Sequence, residues 1–147
     1  GGEGRPVQSP SVDKRTRREM KKMITALLAA MGVSLGATAQ ELFENVDVNR
    51  FEQVISSDSV QLVDVRTPAE YAEGHLAGAV NINVKDSAFL TNALARLDRK
   101  RPCAVYCRSG KRSAIAALLL AGKGYSVTNL RGGIIAWTEA RKKVVNE

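Results

Sequence analysis

The chain is poor in the residues that build special-purpose proteins. It holds only two cysteines, one histidine, one tryptophan and four prolines in 147 residues. Two cysteines cannot form the disulfide framework of a small secreted domain. They lie in Cys103-Ala104-Val105-Tyr106-Cys107, and in an extended strand their Cα atoms would be roughly 13 Å apart at ~3.3 Å per residue. A disulfide needs less than about 7 Å, so the two are expected to stay unpaired, leaving at least one free thiol. One histidine with no second cysteine beside it excludes a zinc site built from protein ligands. The length suits one ordinary domain with a modest extra segment. With 44% hydrophobic and 25% charged residues the composition is globular.

Acidic residues are outnumbered, giving a formal charge of +7. Seven of the Lys and Arg fall in residues 1–22 against three acids, and aromatics make up only 5% of the chain. A basic tail without interleaved aromatics or a nucleic-acid motif is a solvated or targeting segment, so no nucleic-acid partner is expected.

That tail leads into Met20-Lys21-Lys22, an apolar stretch from Met23 to Leu35, and Ala37-Thr38-Ala39. A positive start, a short apolar core and an A-x-A site are the three parts of a secretory signal. The apolar stretch falls short of the ~20 residues of a spanning helix. Residues 1–19 are expected to be a disordered leader, 20–39 a signal peptide, and 41–147 the folded domain. Cleavage after Ala39 would make the protein periplasmic or secreted, with membrane contact only during export. A retained anchor and a packed amphipathic helix are the alternatives.

From Glu41 onward short apolar runs alternate with helical patterns. Helices are expected over 49–55, 68–73, 87–97 (with Leu90, Leu94 and Leu97 inward), 114–120, and from Gly132-Gly133 through Trp137. Strands are expected over 60–65, 79–84, 103–106 and 126–130. Pro68 suits a first helical turn. The runs at 60–65 and 103–106 are nearly continuous in apolar residues, as strands buried on both faces are. The alternation predicts an α/β fold: a small, mostly parallel sheet flanked by helices on both faces.

The chemistry concentrates in Cys107-Arg108-Ser109-Gly110-Lys111-Arg112-Ser113, between a buried strand and a helix, where open α/β sheets place ligands. Unpaired N–H groups at a helix start favour an anion. Arg108, Lys111 and Arg112 add positive charge, and Gly110 permits the positive φ that curls loop amides inward. These effects favour the thiolate of Cys107 without a general base, in a loop expected to stay partly solvated. The same cradle would bind a dianionic donor such as thiosulfate. Cys103, mid-strand among apolar neighbours, reads as core.

Asp64-Val65-Arg66, Glu70 to Ala79, the Cys107–Arg112 loop and Gly132 to Trp137 together resemble the rhodanese family, over nearly all of residues 43–141. The nearest likeness is to single-domain exported thiosulfate sulfurtransferases. The resemblance implies that Cys107 carries a persulfide and that Arg108, Ser109, Gly110, Lys111 and Arg112 bind substrate. It gives Asp64 and Arg66 a supporting role, with Arg66 pairing with Glu70. It implies no cofactor and no metal. The implied partners are a small anionic sulfur donor, thiosulfate, and a thiol or cyanide acceptor, protein thiols included. The family's Asn-Ile-Pro stretch reads Asn81-Ile82-Asn83 here, a departure at a loop edge.

Two rival functions stand beside this one. A cysteine phosphatase or arsenate reductase of related fold writes its loop Cys-x5-Arg, whereas Arg112 follows Cys107 as Cys-x4-Arg and position 113 is Ser. A non-catalytic binding module would be expected to lose the nucleophile, which is kept here. His75, the single histidine, could form a Cys–His pair with Cys107, but its Gly-flanked turn reads as structural. Gly132-Gly133 lacks the spacing of a phosphate loop and reads as a tight turn, and Trp137 as a core anchor.

Overall fold

The stretch Cys103–Tyr106 has no polar face to show to water, so both of its faces need cover. The computed structural model, which describes residues 42–147, supplies that cover. The leader and signal expected over 1–39 lie outside the described residues. In chain order the elements are β1 (Glu44–Val46), α1 (Val48–Ile55), β2 (Gln61–Asp64), α2 (Pro68–Glu73), β3 (Val80–Asn81), α3 (Phe89–Arg96), β4 (Cys103–Tyr106), α4 (Lys111–Ala121), β5 (Val127–Leu130) and α5 (Gly133–Glu139). The strands form one five-stranded sheet in the order β1-β5-β4-β2-β3, and every pairing is parallel.

Side chains alternate across a strand, and the two cores follow that alternation. Cys103, Val105 and Cys107 face one way with Val63 and Val65, under Phe89 and Ala93 of α3 and Ala116 and Leu120 of α4. Ala104 and Tyr106 face the other way with Leu62 and Leu130, under Phe51 of α1 and Trp137 of α5. Trp137 is a core anchor, as expected: its ring meets Phe51 edge-on at 6.4 Å. Its indole N–H donates to the carbonyl of Lys143 at 2.9 Å.

Several elements differ from the sequence expectation. β1 has no counterpart there, because Glu44-Asn45-Val46 carries little apolar signal and becomes a strand only by pairing with β5. The strand expected over 79–84 keeps its ladder only at Val80 and Asn81. Beyond it, Ile82 and Val84 still donate to the carbonyls of Asp64 and Val65. The buried face of α3 is Phe89 and Ala93, continued by Leu97, while Leu94 is exposed. α4 starts three residues before the expected Ala114, at Lys111.

The chain leaves β4 toward β5 on one side and leaves β2 toward β3 on the other. The carboxyl ends of β2 and β4 therefore flank the point where the winding reverses, the usual place for a ligand crevice in an open α/β sheet. Arg66 follows β2 and Cys107 follows β4 at that point.

Candidate active site

The loop after β4 is shaped by two glycines and one helix start. Gly110 takes φ +103° and caps α4 from the left-handed region, the conformation that its lack of a Cβ allows. On the other side, α5 begins against the loop. Ile134 N–H donates to the Cys107 carbonyl at 2.9 Å and Ile135 N–H to the Arg108 carbonyl at 3.2 Å. A trans peptide points its N–H opposite its C=O, so the amides of Arg108 and Ser109 face away from α5. Among the described residues no backbone carbonyl takes the N–H groups of Arg108, Ser109, Lys111, Arg112 or Ser113. Gly110 N–H points at Cys107 Sγ at 3.0 Å, and Ser113 Oγ donates to the same sulfur at 3.4 Å. Two donors thus reach the thiol, in a loop whose remaining amides are free of backbone partners.

The sequence-predicted residues divide by exposure. Arg108, Ser109 and Lys111 are exposed, as a partly solvated loop requires. Cys107 itself is only 1% exposed. The sulfur sits at the bottom of the loop, because Gly110 and Ser113 fold over it from α4. Cys103 is equally buried, in β4, and both cysteines are free thiols. Burial pushes the Cys103 thiol up to about 11.

The expected Arg66–Glu70 pair does not form. Arg66 turns back on Asp64, with Nη2 at 2.6 Å from Oδ2 and Nε at 2.9 Å from Oδ1, and donates to the Gly74 carbonyl at 2.6 Å. Tyr106 closes this buried group: its hydroxyl donates to Asp64 Oδ2 at 2.8 Å and accepts from Leu76 N–H at 3.0 Å. Burial, reinforced by the Asp64 charge, pushes the Tyr106 hydroxyl well above its ordinary range, so it stays protonated and donates. Glu70 instead takes Arg112, through two parallel bonds of 2.8 Å each. The physical reason lies in the helix boundary. α2 starts at Pro68 behind the Thr67 cap, so Arg66 precedes the helix and a four-residue spacing does not place it on Glu70's face.

Glu70 is thus a site residue whose true partner local spacing could not reveal. Its Oε1 also accepts from the backbone N–H of Thr67 at 3.1 Å and from the Thr67 hydroxyl at 3.0 Å, a capping box that locks its rotamer. The Arg112 side chain therefore braces the loop against α2. The Arg112 bonds, helped by Thr67, lower the Glu70 carboxyl from 4.5 to about 2. A carboxylate held below its unfolded value stabilises the fold above that value, and the gain fades as pH falls from about 4.5 toward 2. Glu70→Gln should cost on the order of 2 kcal/mol at neutral pH, after discounting for a partly exposed pair. Urea midpoints of both proteins should differ at pH 7 and converge near the acid limit; a constant gap would contradict the pairing.

Asn129 and Ser113 were also missed. Asn129 is 2% exposed on β5 and donates to Asn45 Oδ1 at 2.8 Å and, more weakly, to the Gly110 carbonyl at 3.4 Å. An amide in an otherwise apolar strand end was the available signal. His75 does not serve Cys107. Its ring stacks on Tyr71 at 3.7 Å, its Nδ1 contacts the Tyr71 carbonyl at 2.9 Å, and its backbone bridges Val145. Beside the loop lies an open cavity of about 250 Å³, lined among others by Arg66, Glu70, Arg108, Ile134 and Ile135.

The family model of the rhodanese-like domain matches residues 47–140. A protein named sulfurtransferase from Allochromatium vinosum is 39% identical over 87 residues, covering 58% of this chain and 78% of the relative. The thiosulfate sulfurtransferase GlpE of Shewanella oneidensis is 36% identical over 99 residues, covering 67% of this chain and 95% of the relative. Among solved structures, a rhodanese-related protein from Thermoplasma volcanium superposes with a TM-score of 0.63 at 30% identity, covering 71% of this chain and all of that one. A parallel five-stranded sheet covered on both faces, a thiol-bearing loop after β4 and these likenesses lead to one conclusion: the chain belongs to the rhodanese-like family.

Proposed function

We propose that this chain is a sulfurtransferase that carries sulfur as a persulfide on Cys107. The donor is thiosulfate or a similar small anion, and the acceptor is cyanide or a thiol. The observation that carries the reading is the pair of donors on the Cys107 sulfur, Gly110 N–H at 3.0 Å and Ser113 Oγ at 3.4 Å, in a loop whose other amides have no backbone partner. Such donors favour a thiolate, and amides still free in the loop can meet the terminal sulfur of a persulfide, without a proton acceptor. Relatives named sulfurtransferase at 36–39% identity support it.

In the first half-reaction the Cys107 thiolate attacks the outer sulfur of thiosulfate. The S–S bond of the donor breaks, its electron pair leaves with sulfite, and a Cys107 persulfide anion remains. Arg108 and Lys111, exposed at the rim, attract the dianion by their charge, and Arg112 keeps the loop in shape through Glu70. In the second half-reaction the acceptor attacks the terminal sulfur and the electron pair returns to Cys107. The order predicts ping-pong kinetics. Intact-mass spectrometry tests it. Brief exposure to thiosulfate should add the mass of one sulfur atom, located by peptide mapping to Cys107 and removed by cyanide. No added mass, or addition at Cys103, would overturn the assignment.

A further inference from the structure

Side-chain alternation puts two buried amides, Gln61 and Asn129, on the sheet face that carries Cys107. Gln61, at the amino end of β2, uses its whole side chain. Its Nε2 donates to the carbonyls of Asp98 at 2.9 Å and Arg101 at 3.1 Å, and its Oε1 accepts from Asp98 N–H at 2.7 Å. Asn129, toward the carboxyl end of β5, is only half used. Its Nδ2 donates to Asn45 Oδ1 and to the Gly110 carbonyl, while its Oδ1 accepts no hydrogen bond among the described residues. A buried acceptor left without a donor costs stability, so an apolar side chain of the same size would serve the fold as well or better. What it could not do is hold the Gly110 carbonyl.

Asn129 pairs in register with Val105 of β4, two residues before Cys107 and on the same face, so it lies at the foot of the reactive loop. Gly110 is the member of that loop with the widest backbone freedom, at φ +103° and without a Cβ. Its N–H reaches the Cys107 sulfur at 3.0 Å. Its carbonyl takes Ala114 N–H at 3.2 Å, closing the first turn of α4, and Asn129 Nδ2 at 3.4 Å. We infer that Asn129 is a positioning residue for the Cys107 thiolate. It pins the Gly110 carbonyl from the sheet side, and so keeps the Gly110 N–H aimed at the sulfur. Asn45 holds the same amide from the edge strand at 2.8 Å, tying β1 to the loop.

A donor held on the sulfur favours the charged form of the thiol. Without the Asn129 amide the Gly110 peptide groups are freer to turn, and less of Cys107 is thiolate at neutral pH. Arg108 and Lys111, exposed at the rim, are untouched by that change, so attraction of an anionic donor is preserved. The inference rests on the persulfide reading for the task of the thiolate, whereas the thiol itself is read by alkylation, which needs no sulfur donor.

Two variants that lack the amide separate positioning from packing. Asn129→Leu fills the space and Asn129→Ala leaves it open, so their urea midpoints should differ, with that of the Leu variant the higher. Iodoacetamide alkylation of Cys107, located by peptide mass, is followed from mildly acid to alkaline pH. Near neutral pH both variants should react about fivefold more slowly than wild type, the worth of one ordinary hydrogen bond. At the alkaline limit, where the thiol is ionised in every protein, the three rates should meet. With thiosulfate and cyanide, kcat should fall by a similar factor while KM for thiosulfate stays unchanged. A neutral-pH rate equal to wild type in either folded variant would overturn the inference. So would a deficit that persists in alkali, which reports access to the sulfur, or one that follows the urea midpoint. If the Leu variant does not fold, the Ala variant decides by the same criteria. Failure of wild-type Cys107 to load from thiosulfate, with the alkylation shift present, would overturn the persulfide reading and leave the positioning role standing.

Discussion

Cys107→Ser should abolish sulfur transfer from thiosulfate to cyanide, lowering turnover by at least about a thousandfold, the scale on which removal of an attacking nucleophile acts. The fold should survive. A serine oxygen in the same place still accepts from Gly110 N–H and still meets Ser113. What it lacks is the chemistry: an alcohol is a weak nucleophile at neutral pH, and sulfur does not persist on it as a persulfide does on sulfur. Cys103→Ala is the control. That thiol lies in the apolar layer of β4, 1% exposed, and burial holds it protonated at about 11. Its loss leaves a small void costing on the order of 1 kcal/mol, and activity per folded molecule should be retained. Turnover assays with matched denaturation curves decide the matter. A folded Cys103 variant without activity, beside an active Cys107 variant, would reverse the assignment.

The second large effect concerns a residue with no reactive group. Gly133→Ala should destabilise the protein by about 3 kcal/mol or more, at the upper end of single substitutions. Gly133 has φ +61°, and a Cβ there would run into the Arg108 carbonyl and come within 2.6 Å of the Cys107 carbonyl. Both obstacles are backbone, and neither can retreat without breaking the Ile134 and Ile135 bonds that orient the loop. Gly78→Ala isolates the conformational part of that cost. Gly78 has a similar φ of +84° but nothing within 4 Å of the added methyl, so its penalty is the left-handed strain alone, about 1–2 kcal/mol. Urea midpoints should separate the two variants clearly. Equal losses would mean that the approach of α5 to the loop is not what Gly133 protects.

The sequence made the central parts of this molecule legible because they depend on local pattern. The run Cys103–Tyr106 can bury both faces and so is a strand in any register, and the observed bounds agree. Gly110 among cations before a helix specifies the curled loop by its own chemistry, and Gly132-Gly133 forms the expected turn into α5. What escaped depends on distant chain. β1 is a strand only because Glu44, Asn45 and Val46 lie beside Thr128, Asn129 and Leu130. Arg112 reaches Glu70 across 42 positions of sequence, a partnership no spacing rule anticipates. Leu94 fits a helical stripe as well as Ala93 does, but α3 turns the smaller residue inward, where it is fully buried.

A sheet with only parallel pairings also bears on how the chain reaches its native state. Parallel neighbours cannot meet through a tight hairpin and must wait for a crossover segment to form between them. The outermost pairing is the most demanding: Asn45 and Asn129, which share a hydrogen bond, are 84 positions apart. Contacts of such separation delay the return on the entropy of loop closure. Refolding from denaturant should therefore run in milliseconds to seconds rather than microseconds. The Cys107 loop, lying between β4 and its helix and resting on α5, takes its working shape only when the last third of the chain is in place.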